Sequence, residues 1–122
     1  MTADVSDLTQ TINAVSAVVY LPVGLKYDLK AWQALWPRIM DNTIEACKRA
    51  RAKLIFFDNV YMYGKVSGPM TEETPFNPCA KKGEVRAQIA TALLEQMKTG
   101  GLVALIARSA DFYGPKCQKQ YR

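Results

Sequence analysis

Three short apolar runs along the chain predict buried β-strands. They lie at residues 17–21 (AVVYL), 53–57 (KLIFF) and 102–107 (LVALIA). The runs are rich in β-branched, aromatic or aliphatic residues, and the first ends at Pro22 and Gly24, where a loop begins. None of them alternates apolar with polar residues, which is typical of parallel strands that are covered on both faces.

Helical periodicity marks the segments between these runs. The first long segment repeats bulky residues at steps of three and four, at Trp32, Leu35, Trp36, Ile39, Thr43 and Cys47. Pro37 is predicted to start or kink the regular part of this helix. A shorter helix is predicted at residues 6–15, and residues 2–5 are predicted as a strand remnant.

A second long helix is predicted between the second and third strands. Asn77 is placed to cap its N-terminus and Pro78 to be its first residue, because asparagine and proline favour those positions. Its apolar face is formed by Val85, Ile89, Leu93 and Met97. Thr99 and the glycine pair that follows predict its end.

Strands separated by helices indicate an α/β fold. Crossover helices of this length favour parallel neighbouring strands with right-handed connections. We therefore predict a partial Rossmann-like, doubly wound three-layer sandwich in one domain over residues 1–122, with three to four parallel strands and helices on both faces. Residues 59–77 are predicted as a loop, and its length and position after the carboxyl end of a strand indicate a ligand site.

Composition restricts the chemistry. The chain has 122 residues, 49% of them apolar, no histidine and a net charge of +5. Without histidine, serine triads and most zinc sites are excluded, so proton transfer must use Tyr, Lys, Asp, Glu or Cys. The three cysteines have no close pair, so no metal is expected. The basic residues lie in short groups without interleaved aromatic side chains, which makes nucleic acid an unexpected partner.

The sequence also lacks membrane signals. No stretch reaches the roughly 18 apolar residues of a transmembrane helix, and the first ten residues lack the layout of a signal peptide. A cytoplasmic protein without a membrane partner is therefore expected.

Four ordered segments have a family resemblance. They are IFFDNVYMYG at residues 55–64, GPMTEETPFNP at 68–78, CAKKGEVRAQIA at 79–90 and ALIARSADFYGP at 104–115. Together they resemble the extended short-chain dehydrogenase/reductase family, specifically its NAD-dependent epimerase/dehydratase branch. The resemblance extends over almost the whole chain. It implies NAD or NADP as the cofactor and a nucleotide sugar or a related hydroxyl compound as the substrate.

The sequence departs from that family in its phosphate loop. The family has a glycine-rich turn between its first strand and helix, and no such turn occurs here. The chain therefore resembles the middle of such a protein, truncated at both ends. Because the loop supplies backbone N–H donors to the pyrophosphate, weak dinucleotide affinity is expected.

A second departure concerns the catalytic residues. When the helix starts are aligned, the resemblance places Lys82 at the family's active-site lysine, Pro78 at its tyrosine and Asn59 at its serine or threonine. Proline cannot act as an acid or base, whereas asparagine still forms hydrogen bonds. Tyr61 is the candidate replacement phenol and Tyr63 a candidate substrate contact, with packing as the alternative for both. The alternative for Lys82 is a solvated helix residue.

The resemblance also implies binding residues. The cofactor-binding candidates, counted with the active-site lysine, are Asp4, Val5, Leu21, Pro22, Val23, Lys82, Ser109 and Ala110. Asp111 is a candidate substrate contact, and an ion pair with Arg108 that closes a turn is the alternative. A literal Tyr-x-x-x-Lys at Tyr61 and Lys65 is interpreted as a decoy, because the family's pair needs a helix to share one face.

The sequence therefore predicts an NAD(P)-dependent epimerase/dehydratase-like protein that is impaired or inactive as this short chain. A non-catalytic Rossmann-like binding or interaction module is the alternative, favoured by Pro78, Asn59 and the missing phosphate loop. Since the family's first strand is absent, residues 17–21 should form an open sheet edge, and self-association through that edge is predicted.

Overall fold

The computed structural model describes residues 4–15, 17–21 and 28–110, with the side chain of Tyr20 excepted. In chain order, its elements are α1 (Leu8–Ala14), β1 (Val18–Leu21), α2 (Leu29–Ala50), β2 (Lys53–Asp58), a 3₁₀ turn (Tyr61–Tyr63), α3 (Lys81–Lys98) and β3 (Val103–Arg108). In these ranges, no helix is both long and apolar enough to cross a membrane.

The three strands form one parallel sheet in the order β1-β2-β3. Leu21 is in register with Phe56, which is in register with Ile106. The predicted α/β architecture with three parallel strands is confirmed. No fourth strand is found in the described ranges, since Asp4 and Val5 of the predicted strand remnant form a turn before α1 and the rest of that segment lies outside them.

The core lies on one face of this sheet. Leu54 and Phe56 of β2 are fully buried and pack in one cluster with apolar residues of α2 and α3. On the opposite face, Val18, Val103 and Leu105 are 54%, 65% and 59% exposed. The helices of the described ranges thus cover one face, and the second helical layer of the predicted sandwich is not found among those residues.

α2 begins earlier than its apolar pattern suggests. The side chain of Asp28 accepts a hydrogen bond from the Ala31 N–H at 3.2 Å and caps the helix. Pro37 lies inside α2 and does not start it. The early start places Trp32 in the first turns of the helix, close to the carboxyl ends of the parallel strands.

The predicted start of α3 at Asn77 and Pro78 is wrong. The helix begins at Lys81, and Ala80 is its N-cap residue without a side-chain hydrogen bond. The main-chain N–H of Asn77 instead donates to the carbonyl of Met62 at 2.9 Å. That bond closes the base of the loop after the 3₁₀ turn, so Asn77 and Pro78 belong to the loop.

Two glycines permit close approach at this base. Gly64 has φ +67°, and a Cβ placed there would lie 2.0 Å from the Asn77 carbonyl oxygen. A Cβ on Gly83 would lie 2.6 Å from the Tyr61 carbonyl oxygen and 3.0 Å from the Pro78 Cβ. The first turn of α3 therefore packs directly on the backbone of the 3₁₀ turn.

We expect Gly83→Ala to destabilise the fold by up to about 2 kcal/mol, because the overpacking exceeds the gain in helix propensity. Gly101→Ala is the matched control, since its Cβ would meet the flexible Lys48 side chain at 3.4 Å and the Gln96 Oε1 at 3.8 Å. The control should stay within about 0.5 kcal/mol of the parent. The free energy of unfolding in urea measures both, and equal effects would contradict the close packing of Gly83.

Candidate active site at the carboxyl end of the sheet

Asp58 ends β2, and its side chain is completely buried. One carboxylate oxygen, Oδ1, accepts a hydrogen bond from Arg86 Nη2 of α3 at 2.6 Å. The other, Oδ2, accepts one from Arg108 Nε of β3 at 3.4 Å. A single carboxylate thus joins a helix and two strands where the parallel strands end.

Arg86 is enclosed by aromatic rings. Its guanidinium carbon lies 4.3 Å from the Trp36 ring centroid, 5.4 Å from that of Phe56 and 5.7 Å from that of Trp32. Burial lowers the pKa of the Arg86 guanidinium below its ordinary value, and the negative charge of Asp58 acts in the opposite direction. Asp58 and the rings together allow this cation to be buried.

Arg108 connects the same carboxylate to the loop. Its Nη1 donates to the Tyr63 hydroxyl at 2.8 Å, and its guanidinium lies 5.3 Å from the Phe76 ring centroid. Arg108 Nη2 and Arg86 Nε are buried without a hydrogen-bond partner. Two guanidinium groups therefore face one carboxylate, and positive charge exceeds negative charge in this cluster.

The candidate catalytic residues Asn59 and Tyr61 are linked to Asp58 by hydrogen bonds. The main-chain N–H of Asn59 donates to Asp58 Oδ1 at 2.8 Å, and Asn59 Oδ1 accepts the Tyr61 N–H at 3.1 Å. The Tyr61 ring stacks on Trp32, with centroids 6.2 Å apart and an interplanar angle of 17°. Lys82 Nζ lies 5.4 Å from the centroid of the same Trp32 ring. The structure thus brings Asn59, Tyr61 and Lys82 into one neighbourhood, and their catalytic roles stay predictions.

The new helix start changes the alignment behind Lys82. Pro78 precedes α3, so Pro78 and Lys82 do not share a helical face. The ionisable pair with four-residue spacing at this end of α3 is Lys82 and Arg86, and both side chains contact Trp32. The 3₁₀ turn of Tyr61 ends before Lys65, which is exposed in the loop.

Of the two candidate substrate contacts, Tyr63 and Asp111, the structure describes Tyr63. The Tyr63 side chain is buried, its hydroxyl is bonded to Arg108, and its ring packs edge-on against Phe76. Asp111 lies outside the described residues, and so does any pair with Arg108. Within the described ranges, Arg108 forms hydrogen bonds with Asp58 and Tyr63, and its guanidinium lies near the Phe76 ring.

Among the candidate cofactor residues near the ends of β3 and β1, Ser109 lies next to this cluster. The Ser109 N–H donates to the main-chain oxygen of Asp58 at 3.2 Å, and Ala110 follows it with an exposed side chain. Leu21 ends β1 with its side chain in the core. Pro22 and Val23 lie outside the described residues.

Asp4 and Val5 lie elsewhere. The Asp4 carboxylate accepts hydrogen bonds from the main-chain N–H and hydroxyl of Ser6, which lower the pKa of its side chain. The Val5 carbonyl accepts from Asn42 of α2 at 3.1 Å. Asn42 is about 15 Å along the helix from Trp32, at 1.5 Å per residue. These two residues are therefore not gathered with Asn59, Tyr61 and Lys82.

Sequence reasoning missed Asp58, Arg86 and Trp32 as parts of the site. A signal for the first two was present: Asp58 ends an apolar strand, and Arg86 adjoins the apolar stripe of α3. Charged residues at buried positions are almost always paired, so opposite charges at two such positions indicate a partnership. Across the described segments, no group of three or more Cys, Asp or Glu side chains lies close enough to hold a metal ion.

Comparisons with known proteins agree on the architecture. The family model for the NAD dependent epimerase/dehydratase family matches residues 3–122. The chain is similar to the structure of UDP-glucuronic acid 4-epimerase from Bacillus cereus in complex with NAD, at 22% identity and a TM-score of 0.74. The superposition covers 93% of this chain and 39% of the epimerase. A search of curated proteins gave no match.

Two further solved structures show the same likeness. DesIV, a dTDP-glucose 4,6-dehydratase from Streptomyces venezuelae with NAD and TYD bound, has 16% identity and a TM-score of 0.79, over 92% of this chain and 38% of its own. RMD from Pseudomonas aeruginosa, complexed with NADPH, has 19% identity and a TM-score of 0.73, and the superposition covers 98% of this chain and 45% of RMD. At these identities the likeness establishes the fold, and the chain spans less than half the length of each of the three.

Asp58→Ala should destabilise the fold by about 3–5 kcal/mol, because it leaves two guanidinium groups without their carboxylate. Glu45→Ala is the matched control, since it breaks the Arg49–Glu45 pair, whose side chains are 57% and 45% exposed. That surface pair should contribute under about 1 kcal/mol. Urea unfolding measures both, and a loss for Asp58→Ala no larger than that of the control would contradict its central position.

Proposed function

Since this chain belongs to the NAD dependent epimerase/dehydratase family, we propose that it binds a nicotinamide dinucleotide and acts on a nucleotide sugar or a related hydroxyl compound. The observation that supports this most is at the carboxyl end of the sheet, where Tyr61 and Lys82 both lie at the Trp32 ring and Asn59 accepts the Tyr61 N–H. In open α/β sheets, ligands bind beyond the carboxyl ends of the strands. Several similar structures are named for nucleotide-sugar epimerases and a dehydratase.

The side chains present fit such a ligand. Lys82 has three N–H donors for ribose hydroxyls, and it is only half-buried beside Trp32. Tyr61 has a phenol that exchanges a proton with a substrate oxygen, and Asn59 has an amide that orients this oxygen. The dinucleotide would supply the hydride chemistry when bound. Ser109 and Ala110, directly after β3, are proposed to line the nicotinamide.

The further cofactor contacts are proposed from the family resemblance. Asp4 and Val5 would bind the adenine end, and Leu21, Pro22 and Val23 would line the cofactor beside β1. Tyr63 and Asp111 are proposed to contact the substrate. Because no glycine-rich phosphate loop occurs in the sequence, we propose weak affinity for the dinucleotide and impaired turnover.

Titration calorimetry of the intact chain with NAD+ and NADP+ tests the cofactor site. We expect measurable binding, and Lys82→Ala should weaken it about 10- to 100-fold by removing a charge-assisted hydrogen bond. Lys98→Ala, an exposed lysine in the last turn of α3, is the matched control and should bind like the parent. Absence of binding at millimolar dinucleotide would instead support a non-catalytic Rossmann-like binding or interaction module.

We also propose that the chain self-associates through the open edge of β1. In the described sheet, β1 pairs with β2 alone, and Val18 is 54% exposed. An uncharged edge strand is a template for pairing with a second chain.

Light scattering at tens of micromolar should therefore give a mass above that of the monomer. Val18→Lys should shift the distribution towards monomer, because a charge on an edge strand opposes pairing. Leu94→Lys, on the outer side of α3, is the matched control and should leave the mass unchanged. A monomeric mass for the parent chain would contradict this proposal.

A further inference from the structure

We propose that Asn59 makes the site selective for a ligand with a carbonyl rather than a hydroxyl at the reacting carbon. This inference rests on the proposed function, because it concerns the sugar ligand of the same site. It follows from the hydrogen bonds that Asn59 already makes and from the one polar group that they leave over.

The acceptor of the Asn59 side chain is already used. Its Oδ1 accepts the Tyr61 N–H at 3.1 Å, and a main-chain N–H can only donate. This bond fixes the orientation of the amide, because an NH₂ group cannot take the position of the oxygen. The Asn59 main-chain N–H is held by Asp58 Oδ1 at 2.8 Å, so the residue is fixed on both sides.

The remaining polar group of Asn59 is its Nδ2. No hydrogen bond among the described residues uses it, and it is not one of the buried side-chain atoms that lack a partner. Asn59 is half-buried, so the NH₂ group is accessible to a ligand. Towards that ligand Asn59 is a donor alone, whereas a serine or threonine hydroxyl both donates and accepts.

The neighbouring side chains strengthen this bias. The side chains of Lys82, Arg86 and Arg108 can donate hydrogen bonds and have no atom that accepts one. The Asp58 carboxylate, which could accept, is buried and bonded to both arginines. A carbonyl oxygen can accept from Asn59 and from the Tyr61 phenol together. A ligand hydroxyl needs an acceptor for its own proton, and Tyr61 is then the sole candidate of this group.

The charge of the cluster acts in the same direction. Two guanidinium groups flank one carboxylate, and the Lys82 ammonium lies near Trp32, whose ring also contacts Arg86, so this end of the sheet favours an oxygen with negative partial charge. Fixed donors aimed at such an oxygen stabilise it more in a partly buried site than in water. A polar site also discriminates strongly against a ligand that leaves its groups unpaired.

The test compares two probes that differ only in the oxidation state of C4: dTDP-4-keto-6-deoxyglucose and dTDP-6-deoxyglucose. Each is titrated into the intact chain by calorimetry without dinucleotide, which prevents turnover. We expect the parent to bind the keto sugar about three- to tenfold more tightly, the factor for one neutral hydrogen bond.

Asn59→Asp keeps the oxygen that accepts the Tyr61 N–H and replaces the donor with a second acceptor, so the preference should invert towards the hydroxyl sugar. Asn13→Asp makes the same change at an exposed position of α1 and should keep the parental ratio. As a readout that needs no variant, the side-chain amide NMR signals of Asn59 should shift at about three- to tenfold lower concentrations of the keto sugar than of the hydroxyl sugar.

The possible outcomes distinguish the selectivity of Asn59 from the proposed function of the chain. Equal affinities for both sugars in the parent, or an unchanged ratio in Asn59→Asp, would overturn the selectivity of Asn59 and leave the proposed function standing. Binding of NAD+ without binding of either sugar would also overturn it. If the parent binds neither sugar and neither dinucleotide, the proposed function is overturned, and this inference with it.

Discussion

The buried carboxylate of Asp58 is the constraint on which the carboxyl end of this fold depends. It must be compensated where water cannot reach it, and two guanidinium groups from α3 and β3 provide the compensation. Such a cluster contributes less to net stability than its short contacts suggest, because both kinds of charge lose hydration on burial. Its larger effect is on geometry: α3 and β3 are held against β2 at the level where the loop leaves the sheet. Arg86 can lie among three aromatic rings only because Asp58 lies beside it.

The candidate site takes its form from that constraint. Asp58 accepts the Asn59 N–H, Asn59 accepts the Tyr61 N–H, and the Tyr61 ring lies on Trp32. These are short links between neighbours in sequence, so a shift of Asp58 would move each of them in turn. The glycine at position 83 lets α3 approach the same backbone from the other side. A loop that is otherwise exposed thus has a fixed base, and a ligand would meet side chains whose orientation is set before it binds.

The sequence predicted the strands and the end of α3 well and the starts of the two long helices poorly, for identifiable reasons. The continuous apolar runs at the three strands have few alternatives in an α/β chain, and the parallel sheet follows from them. Asn77 and Pro78 look like a helix start, but the Asn77 N–H is used by Met62, 15 residues earlier, and no local pattern shows such a bond. The pair of Asp58 and Arg86 spans 28 residues, and no local pattern shows that two charged side chains so far apart are buried together. The family resemblance suggested Asn59, Tyr61 and Lys82 as candidate site residues, whereas the residues that hold them in place were not predicted.

The sheet face opposite the helices of the described ranges lies apart from the proposed ligand site. Val18, Val103 and Leu105 are exposed on the face opposite the helices, with Lys53 in register between Val18 and Val103. A parallel sheet is normally covered on both faces, so an apolar surface of this kind favours association. Pairing at the β1 edge would extend the sheet and leave this face open, which means that edge pairing alone does not bury it. The proposed ligand site lies instead at the ends of the strands, where Asp58 and Arg108 are on the side of the sheet that faces the helices. The proposed association and the proposed ligand binding therefore depend on different residues, and a change on this face should affect the first without changing the second.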